Sequence, residues 1–146
     1  MTGYDEDFYT WTQEQAAALR RARPNSVDWE HLAEEIEDMG NATLSKIEGL
    51  VTQIIAHLLK LEHSSAVDPR RKWMREITAF RIAVARRAKR SKSSLGRIDL
   101  EDLYEDACRL TDNDSEDEGW PVRSIACPWT LDEILRDGWY PEGPQR

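Results

Sequence analysis

Apolar residues recur at helical spacing along most of the chain, and no stretch alternates apolar and polar residues as a β-strand does. One series advances by four and three residues in turn, and it consists of Ile36, Gly40, Thr43, Ile47, Leu50, Ile54, His57 and Leu61. Gly40-Asn41 has the composition of a helix end, but a loop would normally break such a register. We therefore favour one long helix over about 28–62, either straight or bent at Gly40. The second half of this helix is apolar over nearly half its circumference, which makes it the expected core helix.

Shorter helical patterns flank the long one. They lie within TQEQAAALRRA, over about 70–90, over about 98–111, and within CPWTLDEIL. Thr12, followed three residues later by Gln15, predicts a cap for the first helix, and Pro24 predicts its end. The candidate caps of the long helix are Asn25, Ser26 and Asp28.

These elements predict an all-α fold, a bundle of four to five helices around the long central helix. With 146 residues the chain has the usual size of a single domain, which we expect to span 1–146. Within 112–146 we expect an acidic loop, TDNDSEDEGWP, then the short helix and an irregular tail rich in Trp and Pro, all packed on the bundle.

Charge is distributed unevenly. Residues 1–69 hold 5 basic and 13 acidic residues, 70–97 hold 11 and 1, and 98–146 hold 4 and 14, within a net charge of -8. A basic segment between acidic ones indicates either internal neutralisation or a basic face reserved for a partner.

Several classes of protein are excluded by what the sequence lacks. The two cysteines, Cys108 and Cys127, match no zinc spacing and cannot form a disulfide framework. No run approaches the roughly 20 apolar residues of a membrane span. The acidic start, MTGYDEDFYT, does not read as a signal peptide. We therefore predict a cytoplasmic protein with no membrane association and no cofactor.

The stretch DWEHLAEEIEDMGN concentrates acidic residues in a potential site. No Glu lies three residues before a His, so the pattern of a di-iron bundle is absent and we predict no metal. The candidate catalytic residues are Glu34, Glu37, Glu48 and His57. The alternative interpretation is a solvated helix face whose carboxylates pair with the basic segment, together with a structural role for Glu48 and His57.

Two further groups are candidates for binding. Exposed cations of the third helix would form a face for an anion or an acidic partner, and these are Arg71, Arg75, Arg86 and Lys89. Nucleic acid is a less favoured ligand because the sequence pI is near 4.9. The tryptophans Trp120, Trp129 and Trp139 are either interface anchors or residues that pin the tail to the bundle.

Taken together, YDEDFYTWTQEQAAALRRARPNSVDWEHLAEEIEDMG, HLLK at 57–60, the helix around Trp73 and CPWTLDEIL resemble the bacterial domain-of-unknown-function family 29 over nearly the whole chain. The resemblance implies an all-α fold and a bacterial, cytoplasmic origin. It implies no activity and transfers no catalytic residues. The family pattern includes the positions of Trp29, Glu34, Glu35, Glu48 and His57.

Three functions stay open, and the first is preferred. It is a non-enzymatic interaction or regulatory module, antitoxin-like or chaperone-like, that binds a protein partner or a second copy of itself. The second is a metal- or carboxylate-dependent enzyme with a Glu/His site between the second and third helices. The third is binding of nucleic acid or another anion through the basic helix 70–92.

Overall fold

The computed structural model describes residues 1–22 and 28–144. These residues form five α-helices and one 3-10 helix, without a β-strand, which confirms the predicted fold class. In chain order the elements are α1 (Phe8–Arg21), α2 (Trp29–His63), α3 (Arg70–Arg90), the 3-10 helix (Lys92–Arg97), α4 (Leu100–Glu118) and α5 (Leu131–Leu135).

Helix α2 runs without interruption through Gly40, as its spacing predicts. Its second half supplies a row of fully or nearly fully buried side chains, namely Val51, Ile54, Ile55, Leu58, Leu59 and Leu61. At its start, the Asp28 carboxylate accepts a hydrogen bond from the backbone N–H of His31 at 3.3 Å. Asp28 therefore acts as one of the predicted caps.

The start of α1 differs from the prediction. The helix begins at Phe8, and its cap is Asp7, whose carboxylate accepts from the backbone N–H of Thr10 at 3.0 Å. The prediction that Thr12 is the cap was wrong, because Thr12 is fully buried inside the helix and donates to the carbonyl of Tyr9. The predicted end at Pro24 and the candidate caps Asn25 and Ser26 lie outside the described residues.

Helix α4 extends further than its apolar pattern predicts. The prediction of an acidic loop from residue 112 was wrong for residues 112–118, because these residues continue α4. The helix ends at Gly119, which is in the left-handed conformation (φ 65°). Carboxylates near a helix C-terminus oppose the helix dipole, and here local partners offset that effect. Arg123 donates to Asp112 at 2.9 Å, and Glu118 accepts from the Ser64 hydroxyl at 3.0 Å.

The chain divides into two compact units, each made of separate stretches of sequence. The first unit comprises residues 1–47 and 85–98, and the second comprises 48–84 and 99–146. In the first unit the buried apolar side chains include Phe8, Tyr9, Ala16, Ala33 and Ile47. That residues 1–146 form a single domain stays a prediction.

In the first unit, Asp7 joins α1 to the segment that follows α3. Its carboxylate accepts from the Ser93 backbone N–H at 2.6 Å and from the Ser93 hydroxyl at 2.9 Å, in addition to capping α1. The Thr10 hydroxyl donates to Ser93 at 3.0 Å. Burial works against ionisation of Asp7, but the hydrogen bonds from Thr10 and Ser93 outweigh it and lower the pKa of this carboxyl.

Replacing Asp7 with Asn should lower the free energy of unfolding at pH 7 by about 1–2 kcal/mol, because an amide has one oxygen and no charge with which to accept from Thr10 and Ser93. Because the folded pKa lies below the ordinary value of 3.8, the carboxylate stabilises the fold above pH 3.8. This contribution is lost as the pH falls through the folded pKa. Urea unfolding at pH 7 and at pH 3 measures the difference, with the exposed Asp5→Asn variant as control. An equal loss at both pH values would contradict the assignment.

In the second unit, a buried arginine holds the C-terminal segment. Arg81 is 3% exposed, its Nε donates to the carbonyl of Ile134 at 2.8 Å, and its Nη2 donates to the carbonyl of Trp139 at 2.8 Å. The guanidinium also lies 5.4 Å from the ring centroid of Tyr140. Burial lowers the pKa of Arg81. Arg81 thus anchors the region around α5 to α3 through carbonyl oxygens.

Candidate functional site

Two carboxylates of α2, those of Glu30 and Glu37, pair with the first helix. Arg20 of α1 contacts Glu37 and also Glu30, whose carboxylate lies 3.0 Å from its Nε. The hydrogen bond from Arg20 lowers the pKa of Glu37. The alternative that these carboxylates pair with the basic segment 70–97 is therefore wrong for Glu30 and Glu37. Glu37, a candidate catalytic residue, is held in an ion pair.

The remaining carboxylates of this half of α2 face solvent. Glu34, Glu35 and Asp38 are exposed, and none of the ion pairs among residues 1–22 and 28–144 includes them. Two apolar residues accompany them, since Leu32 is 41% and Met39 is 52% exposed. Seven residues apart on one helix, Leu32 and Met39 lie within about 20° of each other around its axis. Glu35 and Asp38 adjoin these two residues around the helix, and Glu34 lies beyond Asp38, about 160° from Leu32. We call these five residues the acidic face of α2.

His57 makes structural hydrogen bonds at both ring nitrogens. Nδ1 lies 2.8 Å from the carbonyl oxygen of Gln53, and Nε2 lies 2.6 Å from Oε2 of Glu76. Both neighbours are acceptors, so His57 donates to both at once only as an imidazolium. The hydrogen bond to His57 lowers the pKa of Glu76. The ring also packs edge-on against Phe80, with centroids 5.4 Å apart.

The carboxylate that meets His57 is thus Glu76 of α3, and Glu48 is only half-buried. Glu76 was not among the residues predicted from the sequence. A signal was present, because Glu76 is the single acidic residue of the segment 70–97. A lone carboxylate among cations on the face of a neighbouring helix is a natural partner for a buried histidine.

The four predicted cations of α3 are all exposed: Arg71, Arg75, Arg86 and Lys89. Arg86 also lines a cavity of about 490 Å³ in the first unit. The polar residues around this cavity are Thr43, Lys46, Arg86, Arg87, Arg90 and Ser91, and Phe8 supplies an aromatic wall. We call it the basic cavity. Its residues come from three separate stretches of sequence, so no local sequence motif predicts this cavity.

The three tryptophans have different surroundings in the second unit. Trp129 is 8% exposed, and its ring lies edge-on to that of Trp139 with centroids 6.1 Å apart. Trp120 is half-buried, lies 5.5 Å from the ring of His63, and donates to Glu118. Trp120 and His63 both line a second cavity, of about 430 Å³. That any of the three tryptophans is an interface anchor stays a prediction.

Neither a metal-binding cluster nor a membrane-spanning helix is found in the described part of the chain. Among residues 1–22 and 28–144, no three His, Cys, Asp or Glu side chains cluster closely enough to hold a metal ion. None of the helices in the same ranges has the length and apolar character needed to cross a membrane.

Comparison with known proteins decides the family. The family model described as "Domain of unknown function DUF29" matches residues 3–140, nearly the whole chain. The chain belongs to the DUF29 family. The resemblance drawn from the sequence is thereby confirmed. None of the curated proteins compared with the chain matches it.

A solved structure shares the fold of this DUF29 chain. It is the crystal structure of an alpha-helical protein of unknown function from Rhodospirillum rubrum ATCC 11170, with 26% sequence identity and a TM-score of 0.81. The match covers 95% of this chain and 92% of the other. The helical architecture described above is therefore one that an experimentally determined protein also adopts.

The five positions included in the DUF29 family pattern differ in how far they are buried. Glu34 and Glu35 are exposed on the acidic face of α2, whereas His57 is buried and bonded at both nitrogens. Trp29 and Glu48 are half-buried. Chemically, this DUF29 chain offers solvent-facing carboxylates next to apolar side chains, and a cavity lined by cations.

Proposed function

We propose that this DUF29 protein is a non-enzymatic interaction protein that docks a basic, amphipathic segment of a partner protein on the acidic face of α2. The observation that carries the proposal is the exposure of Leu32 and Met39 beside Glu35 and Asp38, whose carboxylates have no ion pair among the described residues. Exposed apolar side chains rimmed by polar residues are typical of protein interfaces.

Charge complementarity determines the kind of partner. Glu34, Glu35 and Asp38 form no ion pair among the described residues, so a partner helix or extended segment with apolar residues flanked by Lys or Arg would match both features of the face. A second copy of the same face would bring like charges together and weaken its own binding. We therefore commit to a basic partner segment and not to a homodimer through this face.

The test compares two variants that each remove exposed apolar side chains. The double variant Leu32→Ser, Met39→Ser removes the apolar part of the acidic face, and Leu110→Ser removes a residue that is 55% exposed on α4. The tagged full chain is used to retain proteins from an extract of its source cells. We expect a partner that wild type and Leu110→Ser retain and that the double variant loses by about tenfold or more.

A zero-length cross-linker between carboxylates and lysines then locates the contact. Cross-links should join Glu34, Glu35 or Asp38 to lysines of an amphipathic segment in the partner. Mass measurement of the purified chain in solution provides the other outcome, since a dimer that dissociates in the double variant would assign the face to self-association. The proposal would also be refuted if the double variant retained as much partner as wild type, or if wild type retained no protein at all.

A further inference from the structure

The basic cavity concentrates positive charge in a protein that is acidic overall. Four cations line it, Lys46 from α2 and three arginines from α3, namely Arg86, Arg87 and Arg90. The described residues that line it include no carboxylate. Like charges around one concavity repel one another, and a bound anion would remove that repulsion while forming charge-assisted hydrogen bonds.

A buried hydroxyl in the wall lacks a partner. Ser91 lines the cavity and is completely buried, and its Oγ has no hydrogen-bond partner among the described residues. Buried hydroxyls are normally hydrogen-bonded, because an unpaired one has lost its water without a replacement. Rotation of this side chain toward the cavity would let a ligand oxygen supply the missing partner. Thr43 also lines the cavity, but its hydroxyl already donates to the carbonyl of Met39 at 3.2 Å.

One of the cations is held in place by aromatic rings. The Arg90 guanidinium lies 5.0 Å from the ring centroid of Phe8 and 5.3 Å from that of Tyr4. Its Nη2 donates to the Tyr4 hydroxyl at 2.5 Å. A guanidinium stacked in this way loses less freedom when it binds an anion, since its orientation is already restricted.

We propose that the basic cavity binds the phosphate group of a small phosphorylated molecule. A tetrahedral phosphate presents several acceptor oxygens, and it therefore suits a wall of four cations and the Ser91 hydroxyl better than a planar carboxylate does. The volume of about 490 Å³ exceeds what a phosphate alone fills and lies in the range of small-molecule pockets. Phe8 offers an apolar surface for the remainder of the molecule. The basic cavity shares no residue with the acidic face of α2, so binding at one can fail without the other.

The test is calorimetric titration of the full chain with phenyl phosphate, inorganic phosphate and benzoate at one ionic strength. We expect phenyl phosphate to bind more tightly than the other two. Arg86→Gln should weaken its binding by about tenfold or more, as expected when one charge-assisted contact is lost. Arg71→Gln is the matched control, an exposed arginine of the same helix that does not line the cavity. Its affinity should equal that of wild type.

Ser91→Ala separates binding from folding. It should weaken the binding of phenyl phosphate several-fold, yet leave the melting temperature of the free protein unchanged or higher, since an unpartnered buried hydroxyl is removed. The proposal is overturned if benzoate binds as tightly as phenyl phosphate or if Arg71→Gln weakens binding as much as Arg86→Gln. Binding that is unaffected by Ser91→Ala, or tighter binding of a phosphoserine peptide, would also overturn it.

Discussion

Replacement of Arg81 with Met is expected to lower the free energy of unfolding by about 3–5 kcal/mol, the range for two hydrogen bonds from a charged donor. The carbonyls of Ile134 and Trp139 would lose their donor in a region that is largely buried. Removal of Nη1, which is buried without a partner among the described residues, offsets a small part of this loss. Urea unfolding followed by circular dichroism measures the change.

The matched control is Arg75→Met, an exposed arginine on the same helix. Surface substitutions of this kind usually change stability by less than about 0.5 kcal/mol. Hydrogen exchange of the backbone amides in α5 gives a second readout, and faster exchange there should accompany the loss in Arg81→Met. Equal stabilities of the two variants would show that Arg81 does not anchor the C-terminal segment.

Replacement of Gly40 with Ala is the second change with a large expected effect. An added Cβ would lie 2.0 Å from Oγ1 and 3.2 Å from Cβ of Thr12, which is fully buried and cannot move aside freely. Overpacking of this kind usually costs about 1–3 kcal/mol, and the better helix propensity of Ala returns about 1 kcal/mol. We expect a net loss of up to about 2 kcal/mol in thermal or urea unfolding.

Gly49 provides the control on the same helix. A Cβ at Gly49 meets nothing within 4 Å, so Gly49→Ala should stabilise the protein by about 0.5–1 kcal/mol through helix propensity alone. The double variant Thr12→Ala, Gly40→Ala removes the hydroxyl that clashes and should recover part of the loss, a coupling that a double-mutant cycle detects. Additive effects would indicate that the destabilisation has another origin.

Gly40 also illustrates what the sequence could predict. The regular spacing of apolar residues on both sides of it predicted a continuous α2, and the helix is continuous. The same pattern placed α3 over 70–90, and it spans Arg70–Arg90. Periodicity succeeds here because each helix buries one face along most of its length. It could not show that Gly40 is required by the close approach of Thr12, a residue from another helix.

The errors have physical causes of the same kind. Thr12 with Gln15 has the spacing of a capping box, but burial of Thr12 places it inside α1. The acidic composition of 112–118 suggested a loop, whereas Gly119 was the better signal of a helix end. Charge counting treated Arg81 like the other cations of its segment, and only tertiary structure shows that it is buried. The basic cavity was missed because its walls come from distant parts of the chain.

The bond between Asp7 and Ser93 has a consequence for synthesis of the protein. The two residues are separated by 86 positions, and the first unit needs residues 85–98 as well as 1–47. At about 5–20 residues per second, the ribosome needs several seconds to add the residues between Asp7 and Ser93. During that interval the N-terminal helix lacks the native contacts that residues 85–98 supply, and the apolar side chains left uncovered are open to chaperones. We therefore expect nascent chains that stop before residue 85 to bind holdases, and chains extended well beyond 98 to be released from them.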